Sequence, residues 1–387
     1  MTMHSLDLLI YPLDDLHCGY GIQQGNILPS YPYIPGRVLR GALGGWEIRV
    51  AGLNNTSDDF KTLFYDNEEN SVSFPNCTNK GMLPAPLSLF KPKSCGEDQH
   101  AALFKETFRA FVQRAIPSGF VTAPIDFLRR KEMPSEVSAT LKPLKNCSID
   151  GTFIVNSPGV SLSIKSHHDE KIRRVGEDGL FIEEVIPLSN YYEPKKRYYK
   201  GTLYYSDQYK DLFEKLSEPA VSSERAVNHE KIENPDQTHM IFIGHRRVAA
   251  LVYGINHREL VDNNEQVFLD KEFTITFTSD FMPKEFSYPL SASQIMECIS
   301  GLKVEKKRVF CGLTRIHGYD VLGKKPNIPK HAFVAGSCIR LKCSTSLTKK
   351  EKVLLFQKSK TGIGLNTKNG YGRFKINWGI HDIKEAS

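Results

Sequence analysis

The chain has 387 residues, 40% of them hydrophobic and 25% charged, enough apolar side chain for a real core and too much for wholesale disorder. The formal net charge is +7, but from Lys271 onward 21 Lys and Arg face only 9 Asp and Glu, so the last 117 residues carry +12 and the first 270 carry −5. No run approaches the roughly 18 apolar residues of a membrane span, the N-terminus lacks the basic region of a signal peptide, and the eight cysteines form no CxxC pair, so the expectation is a cytoplasmic protein with reduced thiols and no membrane partner.

Residues 5–14 predict an opening strand. Residues 35–50 predict a helix: Pro35 suits the first helical position, and Leu39, Leu43, Trp46 and Val50 recur on one stripe. Arg37, Arg40, Gly41 and Gly44 fall on the other side. Each glycine there costs about 1 kcal/mol of helix stability against Ala, which points to close approach by something large or to tight helix–sheet packing. Residues 52–105, rich in Asn, Asp, Ser, Pro and Lys, predict an insertion outside the core. Strands are expected around 108–121 and 137–155, a flexible loop over 217–238, a strand at 240–244 and an interdomain connection over 255–265.

A second unit follows, with a clean alternating strand at 272–280, a helix at 291–302, a strand at 332–343, a helix at 349–358 and a final strand at 371–378. The order strand–helix–strand–strand–helix–strand predicts an α+β, ferredoxin-like or RRM-like domain. The division is 1–262 and 263–387, the second unit being the basic one. The halves also echo each other in Ile34-Pro35-Gly36-Arg37 against Val334-Ala335-Gly336-Ser337, and in the pairs Gly244/Gly254 and Gly362/Gly372, each ten residues apart. That predicts a degenerate duplication.

The most informative stretch is 360–373, where Gly362, Gly364, Gly370 and Gly372 alternate with Lys360, Lys368, Tyr371 and Arg373. Glycines let backbone amides lie against phosphate oxygens, while the cations neutralise charge. The stretch is neither a Walker A loop nor a dinucleotide fingerprint, because it leads from a helix into a strand. Lys306, Lys307 and Arg308, then Lys324 and Lys325, add positive charge, with His317 and Tyr319 nearby for stacking. In the first half Lys165, His168, Arg173 and Arg174, with Lys196 and Arg197, stand near Tyr191, Tyr192, Tyr198 and Tyr199; Arg246 and Arg247 follow Gly244. Cations interleaved with rings suit unpaired bases better than a duplex, although tyrosines are equally ordinary cross-strand packers.

His167-His168-Asp169 offers general acid–base groups for metal-independent RNA cleavage, the enzymatic alternative. Cys77, Cys95 and His100 do not supply four ligands at zinc spacing, so no metal and no cofactor are expected.

The run from Gly362-Ile363-Gly364 to Gly370-Tyr371-Gly372-Arg373 resembles the glycine-rich loop of the CRISPR-associated RAMP superfamily, and residues 33–43 (YIPGRVLRGAL) resemble that family's "IPGSSLRGAL" helix. Residues 243–254 are similar to the same loop closing a first RAMP domain. Residues 178–184, Ser279-Asp280, Gly318-Tyr319-Asp320 and Ala335-Gly336-Ser337 resemble segments of the two-domain RAMP subunit of type III-D effector complexes. The resemblance implies two RRM-like RAMP domains with loop insertions in a prokaryotic antiviral-defence system. It implies a subunit that holds CRISPR RNA, at its 5′ repeat-derived handle, beside a polymerase-type large subunit and backbone RAMP subunits. A protein-binding scaffold that touches RNA little is a third reading.

Overall fold

The computed structural model describes residues 2–19, 27–50, 56–64, 71–92, 125–126, 141–143, 147–150, 153–156, 161–169, 174–187, 198–217, 239–244, 247–260, 271–296, 299, 304–317, 319–320, 325–326 and 328–381. The strand expected at 108–121, and the expected loop past Ser217, lie outside them.

The chain opens with β1 (Met3–Pro12), whose alternation points Leu6, Leu8 and Ile10 into the core and Asp7 and Tyr11 the other way. Helix α1 (Gly36–Val50) lays Leu39, Leu43 and Trp46 against that core. Val50, the fourth member of the expected stripe, is instead 59% exposed. Each large apolar side chain buried here contributes about 1.5–3 kcal/mol.

The stretch read as an insertion is a correction. Residues 58–64 form α2 (Asp58–Phe64), and Phe60, Leu63, Phe64, Val72, Phe74 and Cys77 all join the first core. A short edge strand, β2 (Val72–Ser73), also comes from it. Farther on, β3 (Ser161–Asp169) and β4 (Arg174–Val185) pair as a long antiparallel ribbon with a register shift between Ser166 and His168.

The first half closes with β5 (Tyr199–Ser206), α3 (Lys210–Glu214), β6 (His239–Ile243) and β7 (Val248–Glu259). The antiparallel sheet runs β6-β7-β1-β5-β2. Ile255–Glu259 thus belongs to a sheet strand rather than to a connection, which shortens the linker expected there.

In the second half β8 (Glu272–Phe277) leads to α4 (Ala292–Met296) and β9 (Val304–Phe310). The strand expected at 332–343 is two strands, β11 (Lys330–Phe333) and β12 (Cys338–Cys343), because Gly336 turns the chain at φ 91° between them. β11 pairs with β10 (Leu313–Ile316) as a separate ribbon. Helix α5 (Lys349–Thr361) begins at a capping box, with Thr348 Oγ1 accepting from the Glu351 amide and the Glu351 carboxylate accepting from the Thr348 amide. The final strand, β13 (Phe374–Ile376), completes an antiparallel sheet in the order β9-β12-β8-β13. Its core holds Phe273, Ile275, Phe277, Phe281, Ile339 and Leu355, with the Phe277 and Phe281 rings stacked at 4.5 Å.

Taken in order of appearance, the four strands of each half lie fourth, first, third, second across the sheet (β7-β1-β5-β2 and β13-β8-β12-β9), the first half adding β6 as a hairpin partner of β7. The glycine pairs do not carry this repeat. Gly36 starts a helix whereas Gly336 makes a strand–strand turn, and Gly254 sits inside β7 whereas Gly372 lies in a loop. Among the described residues no helix is long and apolar enough to cross a membrane.

Candidate nucleic-acid interface

The glycine-rich loop after α5 is buried, and its bare faces meet this chain's own backbone. Gly370 (φ 82°) and Gly372 (φ 71°) occupy the left-handed region that side chains avoid. A Cβ on Gly372 would lie 1.9 Å from the Ile363 carbonyl oxygen, and one on Gly370 2.4 Å from that of Phe74 in the first half. Gly362 and Gly364 are packed equally hard, against the carbonyl oxygens of Tyr371 and Met282. Of these bends, expected to receive phosphates, Gly362, Gly364 and Gly372 close on the second half itself, while Gly370 packs the loop against the first half and makes a seam between the two.

The loop's cations serve the same seam. Lys368 is 2% exposed and its Nζ donates to the Thr62 carbonyl of α2. Arg373 donates from Nη1 to Thr202 O (2.7 Å), from Nη2 to Ser73 O (2.6 Å) and Ser73 Oγ (2.9 Å), and from Nε to Ser73 Oγ (3.3 Å). Its guanidinium lies 4.9 Å over the Tyr204 ring. Burial pulls the Arg373 pKa down to about 10, partly opposed by Tyr204 and Cys77, so the group stays charged at neutral pH.

Helix α1 reaches the seam from the other side. Arg40 is buried and donates from Nη1 to Asn369 Oδ1 (3.2 Å), while Gly36 packs against the carbonyls of Asn369 and Phe74. Arg37 donates from Nη1 to the His317 carbonyl and from Nη2 to Gly19 O (3.2 Å), and stands 5.6 Å over the Tyr31 ring. Tyr371 is buried, its hydroxyl pushed up to about 12 by burial. Nearby Asp280 is pushed up to about 6 by burial, against a hydrogen bond from the Ala335 amide. Lys360 is half-buried, and burial with Lys375 and Arg373 as neighbours holds its ammonium below the usual lysine range. Arg37, Arg40, Lys368 and Arg373, expected at phosphates, here donate to acceptors within the chain and so link its two halves.

The other candidates lie away from this seam's hydrogen bonds. Gly41 is exposed, and a Cβ there would meet nothing within 4 Å. Lys306 and Lys307 are exposed on β9, the outer strand of the second sheet, with Lys307 3.0 Å or less from a carboxylate, at 2.9 Å from Glu305; Arg308 is half-buried. Arg247 is exposed at the β6–β7 turn. Lys165, His167, His168 and Arg174 are carried by the β3–β4 ribbon, where His168 stands opposite Val175 and Arg174 opposite Asp169. Arg173, Lys196, Arg197, Arg246 and Cys95 lie outside the described residues. Cys77 is buried in the first core, its thiol pushed up to about 12 by burial. Among the described residues no group of three or more His, Cys, Asp or Glu could hold a metal ion.

One surface was missed in the sequence. In the β10–β11 ribbon Arg315 stands opposite His331 and Ile316 opposite Lys330, and Arg315, Lys330 and His331 are all exposed. The His331 ring lies 5.1 Å from that of Phe286, which is itself partly exposed, and Tyr288 is 60% exposed. Lys306, Arg315 and Lys330 have no ion-pair partner among the described residues. Leu313, Thr314, Arg315 and Ile316 run apolar, polar, polar, apolar, so no local alternation announces the ribbon.

No family model and no curated protein matches the sequence. Among solved structures, the chain is similar to a chain of the "Type III-B Cmr-beta bound to cognate target RNA and AMPPnP", at 13% identity and TM-score 0.43, covering 86% of each chain. It is also similar to "oligomeric Cmr4 from Pyrococcus furiosus", at 13% identity and TM-score 0.25, covering 68% of this chain and 100% of that one. At such values the likeness carries no argument about function.

Proposed function

We propose that the chain is a non-catalytic RNA-binding subunit of a type III CRISPR effector complex, built from two ferredoxin-like RAMP units. The observation that carries this reading is the β10–β11 ribbon of the second half, where exposed Arg315 and Lys330 have no ion-pair partner among the described residues and exposed His331 holds its ring against that of Phe286. Cations set among rings can neutralise a sugar-phosphate backbone while unpaired bases stack. The repeated strand order and the motif resemblance support the RAMP assignment. The RNA is CRISPR RNA, held at its 5′ repeat-derived handle. The partners are a polymerase-type large subunit and backbone RAMP subunits, in a prokaryotic cytoplasm.

The test is binding of repeat-derived RNA across a salt series. Each phosphate neutralised on a single strand contributes about −0.7 to the log–log slope, so the double variant Arg315→Glu, Lys330→Glu should flatten the slope by about 1.4 or more. A slope near zero for the wild type would defeat the reading. Specific cleavage of the same RNA in EDTA, lost in His168→Ala, would favour the endoribonuclease instead.

A further inference from the structure

We propose that the face of the first sheet opposite its helices is a stacking platform for unpaired RNA bases, centred on Tyr11, Tyr198 and Tyr253. This rests on the RNA-binding reading above and gives it a second, separate contact surface.

The two faces of this sheet have different tasks. Leu6, Leu8, Ile10, Leu203, Tyr205, Ala250 and Val252 point to one face, where side chains of α1, α2 and α3 complete the core. The alternate residues point the other way. On that second face Tyr11 of β1 and Tyr253 of β7 hold their rings 6.0 Å apart and 4° from parallel, and Tyr198, entering β5, lies 5.8 Å from Tyr11. All three are half-buried, and none of them belongs to the core. Three rings from three neighbouring segments of a sheet offer successive bases a surface that any base can use.

The surroundings favour a nucleic acid over a protein strand. Lys200 shares the face and sits 3.0 Å from Asp7, while Arg258, opposite Ser5, and Arg247, at the β6–β7 turn, are exposed at its margins. Apolar surface continues outward through Met240, 50% exposed, and Phe242 on β6. Strand β5 carries the face on to Tyr204, where the Arg373 guanidinium of the second half already lies over the ring. A strand stacked on the tyrosines would therefore have the basic half beside it.

The experiment uses the full-length protein and a fluorescein-labelled, U-rich RNA of about twelve nucleotides, read by fluorescence anisotropy at one salt concentration. Tyr11→Ala and Tyr253→Ala should each weaken binding about tenfold, while Tyr11→Phe and Tyr253→Phe, which keep the ring, stay within about threefold of wild type. An abasic oligonucleotide of the same length should bind wild type and the Ala variants equally weakly. Should an Ala variant fail to fold, as judged by its melting curve, 4-thiouridine crosslinking of the wild type decides: adducts on peptides spanning 3–12, 198–206 or 248–259 support the platform. RNA binding that is indifferent to the Ala variants, or crosslinks confined to the second half, overturns the platform and leaves the RNA-binding reading standing. Absence of any RNA binding removes both.

Discussion

Arg373 holds Ser73 from 300 residues away, donating to both its carbonyl and its hydroxyl oxygen, and so pins the loop before the last strand to the edge of the first sheet. This half-buried guanidinium has every nitrogen engaged and fastens the two halves. Arg373→Ala would leave Ser73 O and Thr202 O without their donor, at a cost of about 3 kcal/mol. Urea unfolding should show that loss. An unchanged midpoint with weakened RNA binding would return Arg373 to the phosphate role.

Two glycines should respond in opposite directions to the same substitution. Gly41→Ala, on the exposed side of α1 with nothing in reach of the new Cβ, should raise stability by about 1 kcal/mol. Gly372→Ala forces a side chain into φ 71° and onto the Ile363 carbonyl, and should lower stability by about 2 kcal/mol or more. Thermal melts of the pair check both, and equal shifts would contradict the burial of the loop.

Glu47 of α1 is fully buried, with neither carboxylate oxygen hydrogen-bonded among the described residues. Burial pushes its pKa up to about 7 from 4.5, while Lys215 pulls it down. A raised folded-state pKa means that the favourable contribution of this group is complete below about pH 4.5 and lost as pH rises through about 7. Glu47→Gln should therefore match wild type at the acid end and exceed it by up to about 3 kcal/mol above neutrality. Denaturant midpoints measured across that range give the answer, and a constant difference would show that the carboxyl does not titrate as stated.

Cysteine reactivity should follow burial. Cys18 and Cys77 are buried, their thiols pushed up to about 12, whereas Cys311 is half-buried. Iodoacetamide near pH 8 should label Cys311 well before Cys18 or Cys77, because only the thiolate attacks. Early labelling of Cys77, followed by peptide mass spectrometry, would mean that the first core opens there.

Periodicity made much of the architecture legible. The alternation of β1 and β8, the Leu39–Leu43–Trp46 stripe of α1 and the Thr348/Glu351 cap of α5 are local patterns, each readable within a dozen residues. Residues 58–92 were misread because Phe60, Phe64 and Phe74 stand among polar neighbours with no sustained period, and only docking against Tyr205 and Phe213 makes them core. Of the exposed cations of the second half, Lys306 and Lys307 were named from their basic run, whereas Arg315 and Lys330 are single cations with no local pattern to mark them.

The sequence by itself determined the opening strand, the α1 and α5 helices and the asymmetry of charge, because each is set by local composition or period. Which cations face solvent was decided by the tertiary structure, because a lysine or arginine reads the same whether its head group meets water or a carbonyl hundreds of residues away. Lys368 and Lys330 are the clearest pair: both are basic residues of the second half, yet one ends on Thr62 inside the seam and the other stands exposed. That difference is set by long-range packing, which no local pattern encodes.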